Sequence, residues 1–121
     1  IGDGNFPGRA TAQQGGCVFL RADGHGVPEL LNAILQVMPL DAYVQTPVML
    51  MERMKCDLGM ELPIWKRYEQ IVAAHDARGI QAFGGYERFE FYRQAQRCFC
   101  IVQTSEQSQY ANIILQKGLV K

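Results

Sequence analysis

Tyr110, Ala111 and Asn112 follow Gln109 in a polar turn between two apolar runs, Cys98–Gln103 and Asn112–Leu115. Two strands that close together hold a turn rigidly, so a phenol and a carboxamide can be aimed at a ligand from it. Near the start, Asp3 and Asn5 lie in DGNFPG, where Ile1-Gly2-Asp3 reads as the end of a strand. A loop leaving a strand end is where α/β folds place ligand groups. Asp3 can equally serve an Asx turn with nearby backbone amides. Aspartate, arginine, tyrosine and asparagine together suit a small polyhydroxylated ligand. Their donors and acceptors satisfy hydroxyls, while aromatic and methionine surfaces cover an apolar ring face.

Other side chains offer chemistry less clearly. Asp41, between apolar residues in Leu40–Val44, is either a buried, satisfied carboxylate or a ligand contact. Met49 and Met51 alternate onto one face of their run, where thioethers fill core gaps or line an apolar pocket. His25 sits in Gly-His-Gly, a turn signature, and reads as a solvated turn residue rather than a general acid. His75, in Ala-Ala-His-Asp on a helix, reads as surface. Cys98 and Cys100 are two apart on a strand and share a face. Together with Cys17 and Cys56 they fit no disulfide scaffold and read as plain buried thiols. No metal site follows from them, and a reducing, cytoplasmic compartment is the expectation.

These residues need elements to hold them. Asp3 to Gly16 has no period and is rich in turn residues, so it reads as loop. Cys17–Arg21 is a short apolar run, read as a buried strand. Pro28 opens a helix striped by Leu30, Leu31, Ile34, Leu35 and Met38, and Pro39 stops it. Pro47–Met54 begins as a strand, and Lys55–Leu62 is loop. Pro63 opens a second helix, with Ile64, Tyr68, Ile71 and Val72 on one stripe and Gly79 at its end. Ile80–Phe83 is a weak strand candidate, and Glu87–Arg97 a third helix. Cys98–Gln103, apolar on both faces, reads as a central strand. Asn112–Leu115 is the last strand, closed at Gly118. Strands alternating with helices predict an α/β fold with a mainly parallel sheet covered on both faces, a three-layer α/β/α arrangement. Parallel strands bring their carboxyl ends, and with them Asp3, to one edge.

The 121 residues make one domain, residues 1–121, long enough for a core without disulfides. Twelve basic and twelve acidic residues cancel, with no basic stripe, which argues against nucleic acid as a partner. The apolar runs are far too short to span a bilayer.

DGNFPG, RADG at Arg21–Gly24, ERFEFYRQAQ at Glu87–Gln96 and YANIILQKG at Tyr110–Gly118 together resemble the FucU/RbsD family of sugar mutarotases, in order and along essentially the whole chain. The resemblance implies an enzyme that interconverts anomers of a free monosaccharide with no metal and no cofactor. It implies a ring-like homo-oligomer, often a decamer, with sites near subunit contacts. Arg88-Phe89-Glu90-Phe91-Tyr92 is similar to the fucose branch, whereas the ribose branch carries histidine where this chain has Arg88. By resemblance, Asp3, Arg88, Tyr110 and Asn112 bind L-fucose, with the Ala111 backbone close by. Asp41, Met51 and Tyr92 match further pocket positions, and Asp41 and Tyr92 share in proton transfer. The family's proton-donating histidine belongs to a Gly-His-Gly-Asp segment expected upstream of Ile1, with a helix and most of the first strand. A ribose pyranase-like activity and sugar binding without turnover are the alternatives.

Overall fold

The computed structural model describes residues 1–120. Its elements run α1 (Gly8–Gly15), β1 (Val18–Ala22), α2 (Val27–Val37), β2 (Val48–Met51), α3 (Pro63–His75), β3 (Phe83–Tyr86), α4 (Arg88–Ala95), β4 (Cys100–Thr104) and β5 (Ile113–Leu115). Single 3-10 turns occupy Lys55–Asp57 and Gly79–Ala82.

The strands form two groups, β1-β4 and β3-β2-β5. Ile1 and Gly2 join them. The Gly2 amide donates to Val102 and its carbonyl accepts from Thr104, while Ile1 and Ile113 exchange both backbone hydrogen bonds. The spatial order is therefore β1, β4, residues 1–2, β5, β2, β3. β1 runs parallel to β4, β3 parallel to β2, and Gly2 bridges Gln103 in parallel. β5 alone is antiparallel, against β2. The mainly parallel sheet holds, and Ile1-Gly2-Asp3 is a strand end as the sequence predicts.

Helices cover both faces. Val27, Leu31 and Leu35 of α2 and Ile64, Tyr68 and Val72 of α3 pack with Val48, Leu50 and Ile113. On the other face Ala12 of α1 and Phe91 and Ala95 of α4 pack with Phe6, Met51 and Ile101. Alternation along β2 divides the two cores, sending Val48 and Leu50 one way and Met51 the other. These are the three layers expected.

Several expectations fail locally. Part of the predicted loop Asp3–Gly16 is helix α1, whose only fully apolar anchor is Ala12, so periodicity gave no signal. Gly16, at φ 73°, ends it in the left-handed region that glycine tolerates. β1 is half exposed, with Val18 and Leu20 open, because it is an edge strand paired only with β4. α3 stops at His75, four residues before Gly79. Asp76 takes over there, accepting from the Arg78 amide and gripping its guanidinium at 2.8 Å. The candidate strand Ile80–Phe83 is mostly the second 3-10 turn, and β3 begins only at Phe83. Cys98 precedes β4, and Cys56 is exposed rather than buried.

Candidate functional site

The parallel strands end at one edge, and Asp3 follows Gly2 there. Because β5 runs the opposite way, its beginning reaches the same edge, which brings Tyr110, Ala111 and Asn112 beside Asp3. β3 ends at Tyr86, and Glu87 caps α4 immediately after, its carboxylate accepting from the amides of Phe89 and Glu90 at 3.0 and 3.1 Å. That cap sets Arg88 and Tyr92 in the first turns of α4, over the ends of β2 and β3.

The result is an open cavity of about 540 Å³. Asp3, Asn5, Phe6, Met51, Met54, Asp57, Met60, Arg88, Tyr92, Tyr110 and Asn112 line it, with residues 107–109 at its rim. A monosaccharide needs a space of this order, polar on one side and apolar on the other. A second cleft, about 420 Å³, lies between β4 and β5. Its lining is aliphatic, aromatic and cysteine side chains, with Lys117 as the one charged side chain, so it offers little to a ligand rich in hydroxyls.

The Tyr110 turn is fixed from three directions. Trp65 Nε1 donates to the Tyr110 carbonyl at 2.8 Å, and the Tyr68 hydroxyl to the Ala111 carbonyl at 2.7 Å. Asn112 Oδ1 accepts from the Asp3 amide at 2.8 Å. Tyr110 itself sits at φ 56°, the left-handed region, at a cost of about 1–2 kcal/mol that these bonds offset. Its hydroxyl donates to Asp57 and accepts from the Met54 amide. The bond to the carboxylate holds the phenol above its ordinary acidity range, with the Met54 amide pulling the other way.

Asp3 is buried and carries the charge chemistry of the wall. Its carboxylate accepts from the Asn5 amide at 3.0 Å, the Asx turn that is one of the two sequence readings of Asp3, while the residue also lines the cavity. Burial raises its pKa above the ordinary carboxylate value; the amides of Asn5, Phe6 and Ala111 oppose that rise and Glu106 adds to it. Opposite it, the Arg88 guanidinium is exposed, 5.9 Å from the Tyr92 ring centre. Phe6 stacks on the Tyr92 ring, with centroids 5.7 Å apart and planes 27° from parallel. The Tyr92 hydroxyl bonds to no protein group among the described residues, which leaves it free to exchange a proton with a ligand.

Of the predicted site residues, Asp3, Met51, Arg88, Tyr92, Tyr110 and Asn112 converge on this cavity, with buried Ala111 behind them. Asp41 does not. Leu40 pairs with Lys117, beyond the far end of β5, so Asp41 lies near the opposite edge of the sheet. Its carboxylate accepts from the Tyr43 amide and from Gln116 Nε2. His25 Nδ1 lies 2.9 Å from Glu29 Oε1 in an exposed turn and His75 bonds to Asn32, so neither histidine enters the cavity. Phe6, Met54, Asp57 and Met60 are lining residues that residue reasoning missed. Phe6 was visible inside DGNFPG. The other three lie in or beside the featureless stretch Lys55–Leu62, where no period or motif marks them.

Residues 1–120 match the RbsD / FucU transport protein family. The chain belongs to this family. Within it, the chain is 42% identical over 120 residues to the fucose mutarotase of Mus musculus, covering 98% of this chain and 76% of that protein. It superposes on FucU from Bifidobacterium longum with a TM-score of 0.94 at 46% identity, covering 100% of this chain and 84% of that one. The fucose mutarotase of Streptococcus pneumoniae, solved in complex with L-fucose, superposes with a TM-score of 0.90 at 36% identity, covering 99% and 81%.

Proposed function

We propose that this family member is an L-fucose mutarotase, binding the free sugar in the cavity and interconverting its α and β anomers. The observation that carries the reading is the convergence of Asp3, Arg88, Tyr92, Tyr110 and Asn112 on one cavity walled by Met51, in a chain whose relatives are named fucose mutarotases. Mutarotation requires the ring oxygen to gain a proton as the anomeric hydroxyl loses one. The bond between the anomeric carbon and the ring oxygen breaks, the open aldehyde turns about its carbon–carbon bond, and the ring recloses on the other face. No covalent intermediate with the protein is needed. Each well-placed acid or base contributes about a hundredfold or more.

In this reading Asp3, Arg88, Tyr110, Asn112 and the Ala111 backbone hold the hydroxyls, and Met51 and Phe6 cover the apolar side. Tyr92 carries one proton transfer. The Asp41 carboxylate, bonded to the Tyr43 amide and Gln116 Nε2 away from the cavity, takes no part in it within one chain; the family resemblance supports a homo-oligomer. The chain acts as one mutarotase domain with no metal and no cofactor. Its unpaired cysteines fit a cytoplasmic setting, and among the described residues no helix is long and apolar enough to cross a membrane.

Magnetisation-exchange NMR on the anomeric protons of L-fucose, beside D-ribose, tests the reading. Exchange of L-fucose anomers at least tenfold above the buffer rate supports it. Faster ribose than fucose exchange moves the activity to the other sugar, and binding of fucose with exchange at the buffer rate leaves a sugar-binding protein.

A further inference from the structure

We propose that Asp57 is a positioning residue for sugar binding, fixing the Tyr110 hydroxyl as a hydrogen-bond acceptor toward the cavity. The proposal rests on the L-fucose reading above. A phenol has one proton to donate and two lone pairs to offer. Here the proton goes to Asp57 Oδ2, 2.5 Å away, and one lone pair takes the Met54 amide at 3.1 Å. Only the second lone pair is left for a ligand. An ionised carboxylate only accepts, so it cannot let the phenol reverse its direction. A sugar hydroxyl meeting Tyr110 must therefore donate.

Asp57 is itself held. It closes the 3-10 turn Lys55–Asp57, with its amide donating to the Met54 carbonyl at 2.8 Å and its carbonyl accepting from the Met60 amide at 2.9 Å. Arg53 Nη1 reaches the Met60 carbonyl at 2.6 Å and ties the turn back to the end of β2. The turn thus presents a carboxylate and an amide to one phenol, and the left-handed backbone of Tyr110 carries that phenol toward them. The carboxylate bond also raises the phenol's pKa. Cys56 acts in the same direction, and Asp3 and Arg88 line the same cavity.

The test is a double-mutant cycle with Asp57→Asn and Tyr110→Phe, with Asp57→Ala as a second variant at 57. An amide both donates and accepts, so Asp57→Asn frees the phenol to turn. L-Fucose affinity measured by calorimetry should fall about tenfold, in line with loss of an oriented, charge-assisted hydrogen bond, while the maximal anomer-exchange rate stays within twofold. In the Tyr110→Phe background the change at 57 should add nothing. A sugar-independent readout accompanies it: by NMR of the Tyr110 ring carbon bearing oxygen, the fraction ionised at pH 10 should rise in Asp57→Asn. An equal loss of affinity in both backgrounds, or an unchanged phenol ionisation, overturns the proposal. If the unmodified chain neither binds L-fucose nor speeds its exchange, the fucose reading fails, and the phenol readout alone decides whether Asp57 fixes Tyr110.

Discussion

Replacing Tyr68 by phenylalanine removes one oxygen from the centre of the protein and tests how the site is held. Tyr68 and Ala111 are both fully buried, and the hydroxyl donates to the Ala111 carbonyl at 2.7 Å. The ring stays, so no cavity larger than that oxygen opens. What is lost is a buried hydrogen bond, and the carbonyl left behind has no water to replace it. That combination costs about 1–2 kcal/mol, or roughly 4–8 °C in Tm for a domain of this length. Part of the cost falls on function. The turn keeps its Trp65 bond but loses one of its two ties to α3, while Tyr110 still bears the strain of its left-handed backbone. A threefold to tenfold rise in the Kd for L-fucose should follow, since a factor of ten corresponds to about 1.4 kcal/mol. Scanning calorimetry gives the first quantity and isothermal titration the second. A Tm within 1 °C of the parent together with an unchanged Kd would refute the idea that α3 holds the turn.

Three further outcomes follow from the same geometry. Burial raises the Asp3 pKa above its ordinary 3.8; between the two values the native state binds more protons than the unfolded one, so stability falls as pH rises through that window and stays reduced at neutral pH. Asp3→Asn, which keeps the acceptor for the Asn5 amide, should therefore raise Tm at pH 7 and not below pH 3.8, while weakening L-fucose binding at least tenfold; melts at both pH values and one titration check this. Tyr92→Phe should lower anomer exchange tenfold or more with near-normal Kd, because only the free hydroxyl is removed; exchange NMR decides, and an unchanged rate ends the role of Tyr92 in proton transfer. Gly15→Ala would drive a methyl group into the backbone carbonyl of Gln96, so α1 must shift from α4; a loss of about 1–3 kcal/mol in denaturant unfolding is expected, and an undiminished midpoint would show that α1 is free to move.

The layers were legible because α2 and α3 carry strong apolar stripes and because β2 alternates cleanly between two cores. α1 was not, since GRATAQQG buries only Ala12 as an apolar side chain and relies on Gly15 to approach Gln96 closely. The status of β1 was misread for a related reason: CVFLR is as apolar as a central strand, and only pairing, absent from a local pattern, reveals an edge. For the site, residue types picked out the turn at Tyr110 and the loop at Asp3, and resemblance supplied Arg88, Tyr92 and Met51. The direction of β5 was the missing piece that puts turn and loop together. Asp57 left no trace, because a carboxylate in an irregular loop becomes informative only once a phenol is seen to point at it. Asp41 shows the reverse limit: a position picked out by resemblance can face away from the cavity, and this carboxylate is bonded to Tyr43 and Gln116 near the opposite edge of the sheet.

A crystal structure of this chain with bound L-fucose is the most direct test of the central claim. The sugar should lie in the cavity at the strand ends, its hydroxyls within hydrogen-bond distance of Asp3, Arg88, Tyr110 and Asn112, and its ring close to the Tyr92 hydroxyl. Fucose bound instead in the apolar cleft between β4 and β5, or at the cavity without contact to Arg88 and Tyr92, would contradict the account.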